Sequence, residues 1–353
     1  MIAARLISGL VLAVLSIAPA GRGATVSPAA TRAGNSFLAR YVTPDGRVVR
    51  RDQGRDTVSE GQAYALLVSQ ALGDQRRFDR IWSWTRANLQ RPDGLLAWHW
   101  VGGRVADPMP AADADLDAAW ALTLAGSRFA RPDYVDDASR LAAALLDRET
   151  AVVNGRLLLV AGPWARSEPY VVNPSYAAPG AFAALGRATG DRRWVALDDS
   201  SLRVIQALTP PGRLPPDWAV VTGSGTVQAT SQPGDSTGAR YGLDAGRVPI
   251  WASTGCSPAW RAVAASTRSL LDADPSIVGR TLTLSGEPIS TGPDPTLTVA
   301  GAAAWSAAGA TRERDRLLDR AERLDGRRPT YYGGAWVALG RLLLTDSTRR
   351  WCG

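Results

Sequence analysis

Apolar residues recur at helical spacing along almost the whole chain. In residues 60–72 one face carries Ala63, Tyr64, Leu67, Val68, Ala71 and Leu72, and Gly73 follows as a stop signal. Phe78, Ile81, Trp82 and Leu89 mark a second amphipathic stretch; Leu116, Ala119, Trp120, Leu124 and Phe129 mark a third; Leu141, Ala142, Leu145 and Leu146 mark a fourth. The same period continues over residues 176–187, 192–208, 246–256, 258–272, 297–309, 311–324 and 332–344, with a short helix over 35–41 near the start. Proline and glycine cluster between these segments, as helix punctuation should. The pattern predicts an all-α fold of about twelve helices. There is no close sequence repeat, yet the helices pair by length, which predicts a closed helical barrel built from helix pairs.

Strand signals are few. Residues 152–160 and 218–227 alternate well enough to form short hairpins at one edge of the barrel. Residues 209–240, rich in Gly, Pro, Ser and Thr, form the longest predicted loop; a loop that long inside a compact domain is usually functional or disordered.

The first residues have a different character. Arg5 precedes an apolar run over 6–17 and the small residues Ala18-Pro19-Ala20. The run is short for a bilayer span, so residues 1–23 are predicted to be a secretory signal peptide and 24–353 a single domain. An uncleaved anchor is the alternative. No later stretch predicts a membrane span, so a periplasmic or secreted monomer is expected. The net charge is +7. All the cations are Arg, scattered among Asp and Glu, which excludes a nucleic-acid footprint. Two cysteines, Cys256 and Cys352, are either a pair tying the C-terminus to the body or two buried thiols. With one histidine, His99, they cannot build a Cys/His zinc site, so no metal is expected unless carboxylates alone hold Ca²⁺.

Three acidic segments stand out. Glu60 lies in Ser59-Glu60-Gly61 at the head of an apolar helix, flanked by small residues. It reads either as a carboxylate favoured by the helix dipole or as an accessible acid. Asp113-Ala114-Asp115-Leu116-Asp117 opens another helix and either caps it or points one or two carboxylates toward whatever the helix end faces. Asp244 leaves the long loop, and Arg247, three residues on, can reach the same face; an N-cap is the alternative. Among thirteen Trp, Trp98 and Trp100 flank His99 in a segment bounded by Gly and Pro. They are placed either to stack on sugar rings or to plug the core. Tyr176 follows a loop and opens a helix.

Together these segments resemble glycoside hydrolase family eight, and within it the cellulases (endo-1,4-β-glucanases) associated with bacterial cellulose synthesis. The likeness runs from Phe37 to Leu344. It is carried by Asp45-Gly46-Arg47-Val48, Val58-Ser59-Glu60-Gly61-Gln62-Ala63-Tyr64, the segment 78–89, Ala97-Trp98-His99-Trp100, the segment 112–125, Asn173-Pro174-Ser175-Tyr176, Pro216-Asp217-Trp218, the segment 243–251 and Tyr331-Tyr332. The resemblance implies an (α/α)₆ barrel, inverting hydrolysis of β-1,4-glucan and no cofactor. It implies Glu60 as proton donor, Asp113 against the sugar at the cleavage point and Asp244 as base. From their places along the chain, Trp98, Trp100, Tyr176 and Arg247 are the candidate substrate-binding residues. It also raises the cellulose synthase complex as a partner. Ala112 departs from a usual Ser or Thr, Ala118 from a bulkier apolar residue, and the base position differs among subgroups. Chitosan, xylan or mixed-linkage glucan as substrate, or a glycan-binding protein without activity, are the alternatives.

Overall fold

A computed structural model describes residues 26–272 and 274–345. The expected signal peptide and Cys352 lie outside the described residues. In chain order the helices are α1 (Pro28–Tyr41), α2 (Ser59–Leu72), α3 (Gln75–Asn88), α4 (Ala112–Phe129), α5 (Pro132–Arg148), α6 (Pro179–Thr189), α7 (Arg193–Leu208), α8 (Arg247–Ser253), α9 (Pro258–Ser266), α10 (Arg268–Leu271), α11 (Pro295–Ala307), α12 (Thr311–Arg327) and α13 (Tyr331–Thr345).

Burial sorts them into two rings. On α11 every residue from Pro295 to Ala304 is buried, and on α13 nearly every residue from Tyr331 to Leu344. On α12 only Leu317, Leu318, Ala321 and Asp325 are buried. A helix apolar all round belongs inside, and one with a single stripe belongs outside. The contacts follow: α2 touches α4, then α6, α8, α11 and α13 in turn, and α13 returns to α2. Behind that closed ring α3 packs on α2, α5 on α4, α7 on α6, α9 on α8, α12 on α11 and α1 on α13. This is an (α/α)₆ barrel.

The expected twelve helices are present, with one divided. The segment 258–272 breaks at Thr267, where the hydroxyls of Ser266 and Thr267 each donate to a carbonyl one turn back. Side chains that compete for backbone acceptors in this way loosen a helix. The first helix is longer than its apolar spacing suggested. Ser27 accepts a hydrogen bond from the Ala30 N–H and Pro28 occupies the first turn, so capping rather than periodicity sets its start.

The links are unequal. Inner-to-outer turns are short; α2 passes to α3 through Gly73, whose φ of 77° closes the helix, and Asp74. Most outer-to-inner links are long and carry the strands: β1 (Thr57–Val58), β2 (His99–Val101), β3 (Arg104–Asp107), β4 (Thr150–Val153), β5 (Arg156–Leu159), β6 (Tyr170–Val172), β7 (Trp218–Val221) and β8 (Val227–Thr230). They form three small antiparallel sheets, β1-β2-β3, β4-β5 and β6-β7-β8. All of them gather at the end of the barrel where the inner helices begin. The two expected hairpins are β4-β5 and β7-β8. The predicted 209–240 loop therefore contains a hairpin, and Trp98-His99-Trp100 leads into the short strand β2, beside the turn at Gly102-Gly103. Cys256 is disulfide-bonded.

Candidate active site

The first turns of the inner helices point their side chains into the strand-bearing end. Glu60 sits in the first turn of α2. Its entry is fixed by β1, which pairs Thr57 with Trp100 and Val58 with His99, and by the Ser59 N–H donating to the Trp98 carbonyl at 2.9 Å. Buried Gln62 locks the same turn, accepting from the Val48 N–H and donating to Thr85 Oγ1 at 2.8 Å. Gly61 leaves room for Tyr331: a Cβ there would stand 2.8 Å from the tyrosine oxygen.

Arg247, in the first turn of α8 and 2% exposed, gathers three carboxylates. Its Nη1 donates to Glu60 Oε1 at 2.9 Å and to Asp113 Oδ2 at 2.7 Å, and its Nη2 donates to Asp244 Oδ1 at 3.1 Å. The ring of Tyr176 lies 5.3 Å from the guanidinium carbon, a cation–π contact. Asn173 Nδ2 donates to the other oxygen of Asp244 at 3.0 Å. Thus Glu60, Asp113, Asp244, Arg247 and Tyr176 meet at one place. None of the three acids acts as a helix cap. Tyr176 belongs to a 3-10 turn over Pro174–Tyr176, and α6 starts only at Pro179.

The electrostatics separate the acids. Glu60 is half-buried, with 24% of its side chain exposed. Burial pushes its pKa up to about 7; the Asp113 charge adds to this, while Arg247 and a hydrogen bond from Tyr64 oppose it. Burial also raises the Asp113 pKa, against the charge and hydrogen bond of Arg247. The rest of the acidic run turns inward. Asp115 Oδ1 accepts from the Leu96 N–H at 2.9 Å, and its other oxygen has no hydrogen bond among the described residues. Asp117 lies buried one turn below Asp113, and burial raises its pKa well above the ordinary carboxyl range.

Sequence reasoning gave no role to several contributors. Asp217 accepts from the N–H groups of Gly242 and Ala245, at 3.0 and 2.8 Å, and so shapes the turn that holds Asp244. Its own pKa is raised to about 6, by burial first and then by the Asp244 charge. Asn173 and Asp217 both fall inside motifs that carried the family likeness, which was the available signal. Below the acids an aromatic floor closes the barrel: Trp120 on Trp251 at 5.7 Å, Trp251 on Trp336 at 5.2 Å, and Trp336 on Tyr64 at 5.2 Å.

The two candidate platforms differ. Trp98 is partly buried, donates from its indole nitrogen to Asp107 at 2.8 Å and stacks on His99. Trp100 carries Arg47 over its ring at 4.2 Å and meets the edge of Trp84 at 5.4 Å. Trp164 is a further indole, 43% exposed. It stands next to the segment whose Ala161 carbonyl accepts from the Ala112 N–H at the head of α4.

The family model described as glycosyl hydrolases family 8 matches residues 13–345. A "probable endoglucanase" of Novacetimonas hansenii is 34% identical over 225 residues, covering 61% of this chain and 64% of its own. An endoglucanase of Xanthomonas axonopodis pv. citri is 32% identical over 230 residues, covering 62% of this chain and 58% of its own. The chain thus spans only 58–64% of the length of these curated relatives. Among solved structures, an endo-β-1,4-glucanase from Acetobacter xylinum superposes with a TM-score of 0.77 at 28% identity, over 90% of this chain and 98% of that one. A β-1,3-1,4-glucanase from Paenibacillus sp. X4 has a TM-score of 0.79 at 20% identity, over 90% and 91% of the two chains, a likeness of fold alone.

Proposed function

The chain belongs to glycosyl hydrolases family 8, and from that premise we propose that it cuts internal β-1,4 bonds of a glucan, cellulose foremost, with inversion at the anomeric carbon. The observation that carries this reading is the convergence of Glu60, Asp113 and Asp244 on the single guanidinium of Arg247 at the open end of the barrel. The endoglucanase names of the relatives and of the Acetobacter structure support the same substrate class.

Glu60 is the general acid. A carboxyl with a pKa of about 7 still holds its proton at mildly acid to neutral pH and can pass it to the leaving glycosidic oxygen. Asp244 is the base: it takes a proton from a water attacking the anomeric carbon from the opposite face. Proton, bond and charge balance in one step, and solvent exchange then returns Glu60 to the acid and Asp244 to the carboxylate. The nitrogens Nη1 and Nη2 of a planar guanidinium are about 2.3 Å apart. Glu60 Oε1 and Asp244 Oδ1 are therefore at most about 8 Å apart, which leaves room for the roughly 6.5–9.5 Å separation of inverting carboxyls. Asp113 hydrogen-bonds the distorted sugar and steadies positive charge developing on its ring. Tyr176 lies against the Arg247 guanidinium beside the acids, and Trp98 and Trp100, tied to the head of α2 through the Ser59 N–H to Trp98 carbonyl bond, are the proposed sugar platforms.

We also propose that the protein works outside the cytoplasm, alongside cellulose synthesis. The disulfide at Cys256 supports an oxidising compartment; the link to synthesis rests on the resemblance. The test of function is a product profile on carboxymethylcellulose, barley mixed-linkage glucan, xylan and chitosan. A rapid fall in carboxymethylcellulose viscosity with few new reducing ends is expected. Turnover confined to xylan or chitosan would overturn the substrate class, and binding without turnover would overturn the enzyme.

A further inference from the structure

Tyr64 stands on α2 one turn after Glu60, on the same helix face. Its hydroxyl donates to Glu60 Oε1 at 2.6 Å and accepts from Arg247 Nη1 at 3.0 Å. The phenol is fully buried, and its ring is held by the edge of Trp336 at 5.2 Å and by Tyr332 at 6.5 Å. Because Arg247 can only donate, the phenolic proton has one direction left, toward Glu60. Oε1 therefore accepts two hydrogen bonds, from Tyr64 and from Arg247. Oε2 makes no hydrogen bond to the described residues.

The geometry points to Tyr64 as a positioning residue that confines the transferable proton to Oε2 of Glu60. This rests on the reading of Glu60 as proton donor. With both donors engaged, Oε1 has no lone pair to spare, so the carboxylic proton sits on the oxygen that is free to meet substrate. The same bond tunes readiness. Donation to the carboxylate favours its charged form and pulls against burial and the Asp113 charge, which push the other way. Without the hydroxyl, Glu60 would hold its proton more tightly and could carry it on either oxygen. Orientation and acidity of the donor are thus set by a residue that never touches the sugar.

The test compares the wild-type protein with Tyr64→Phe and with 3-fluorotyrosine placed at position 64, which keeps the hydroxyl but makes it a stronger donor. The readouts are the pH profile of kcat/KM on cellopentaose, kcat on a dinitrophenyl cellotrioside whose leaving group needs no proton, and a ¹³C titration of the glutamate carboxyls. The sequence holds only six Glu, so Glu60 is assignable by its loss in Glu60→Gln. Tyr64→Phe should raise the Glu60 midpoint and the alkaline limb by about one pH unit, the scale of one hydrogen bond to a charged group. It should cut cellopentaose turnover roughly tenfold, a part of the general-acid contribution, and spare the aryl substrate. Fluorotyrosine should move both midpoint and limb the opposite way. Equal losses on the two substrates with an unmoved limb would reduce Tyr64 to a packing residue, as would a limb that moves the same way in both variants. If Tyr64→Phe does not fold, the fluorotyrosine shift alone decides. Near-normal cellopentaose turnover by Glu60→Gln would instead bring down the reading of Glu60, a separate failure.

Discussion

Arg247 Nη1 stands 2.7 Å from Asp113 Oδ2, although the two residues lie 134 positions apart on α8 and α4, inner helices with α6 between them in the ring. The arginine thus spans the mouth of the barrel and holds three acids in register. A lysine could offer its charge but not the planar fork that meets both sides. Arg247→Lys should fold and lose about 10²-fold in kcat through misplacement of the acids. Arg247→Ala leaves a buried carboxylate cluster without its cation and should lower Tm sharply. Thermal melts and kinetics on cellopentaose check both; a Lys variant with normal kcat would refute the spanning role.

Glu60→Gln keeps the shape of the side chain and removes the proton. Turnover of an unactivated glucan should fall by about 10²–10⁴-fold, with oligosaccharide affinity nearly kept. Calorimetric binding alongside steady-state kinetics distinguishes this from a general loss of the site.

The pH profile has a stated sign. kcat/KM should fall as pH rises through about 7, where Glu60 gives up its proton. The Asp113 charge is part of what raises that pKa, so Asp113→Asn should move the alkaline limb to lower pH while also reducing turnover. A limb that rises or stays put in Asp113→Asn would contradict the electrostatic account.

Glu149 is fully buried, and neither of its oxygens has a hydrogen bond among the described residues. Burial, then the Asp115 charge, lifts its pKa well above the ordinary range. The folded state therefore keeps a proton that the unfolded chain loses near about pH 4.3. The stability tied to this group is complete below that pH and is lost as pH rises toward the folded pKa. Glu149→Gln should match wild-type Tm near pH 4 and exceed it at pH 8. A lower Tm for the variant at pH 8 would show that the carboxyl has a partner it needs.

Much of the barrel was legible because its helices carry apolar residues at helical spacing, continuous on inner helices such as residues 60–72, which are buried nearly all round, and confined to one stripe on outer ones such as 311–324. The start of α1 was not, since Ser27 and Pro28 set it by capping rather than by burial. Glu60, Asp113, Asp244 and Arg247 were singled out from local sequence and meet in space. Asn173, Asp217 and Tyr64 were visible as letters within motifs but not as roles. Asn173 meets Asp244 across 71 residues, and Asp217 meets Gly242 across 25, pairings that no local pattern encodes. Tyr64 read as one more apolar position, and only the fold turns its hydroxyl onto Glu60. The glycines and prolines around Trp98-His99-Trp100 gave no strand signal, yet β1 and β3 pair with His99–Val101, a pairing set by residues far along the chain.

The central claim is that Glu60 and Asp244 act from opposite faces of one sugar in a single displacement. Proton NMR of the first product released from cellohexaose tests it most directly. The account predicts the α-anomer, appearing before mutarotation and absent in Asp244→Asn. A first-formed β-anomer would contradict it, because retention requires a covalent intermediate and would make Asp244 a nucleophile or remove it from the reaction.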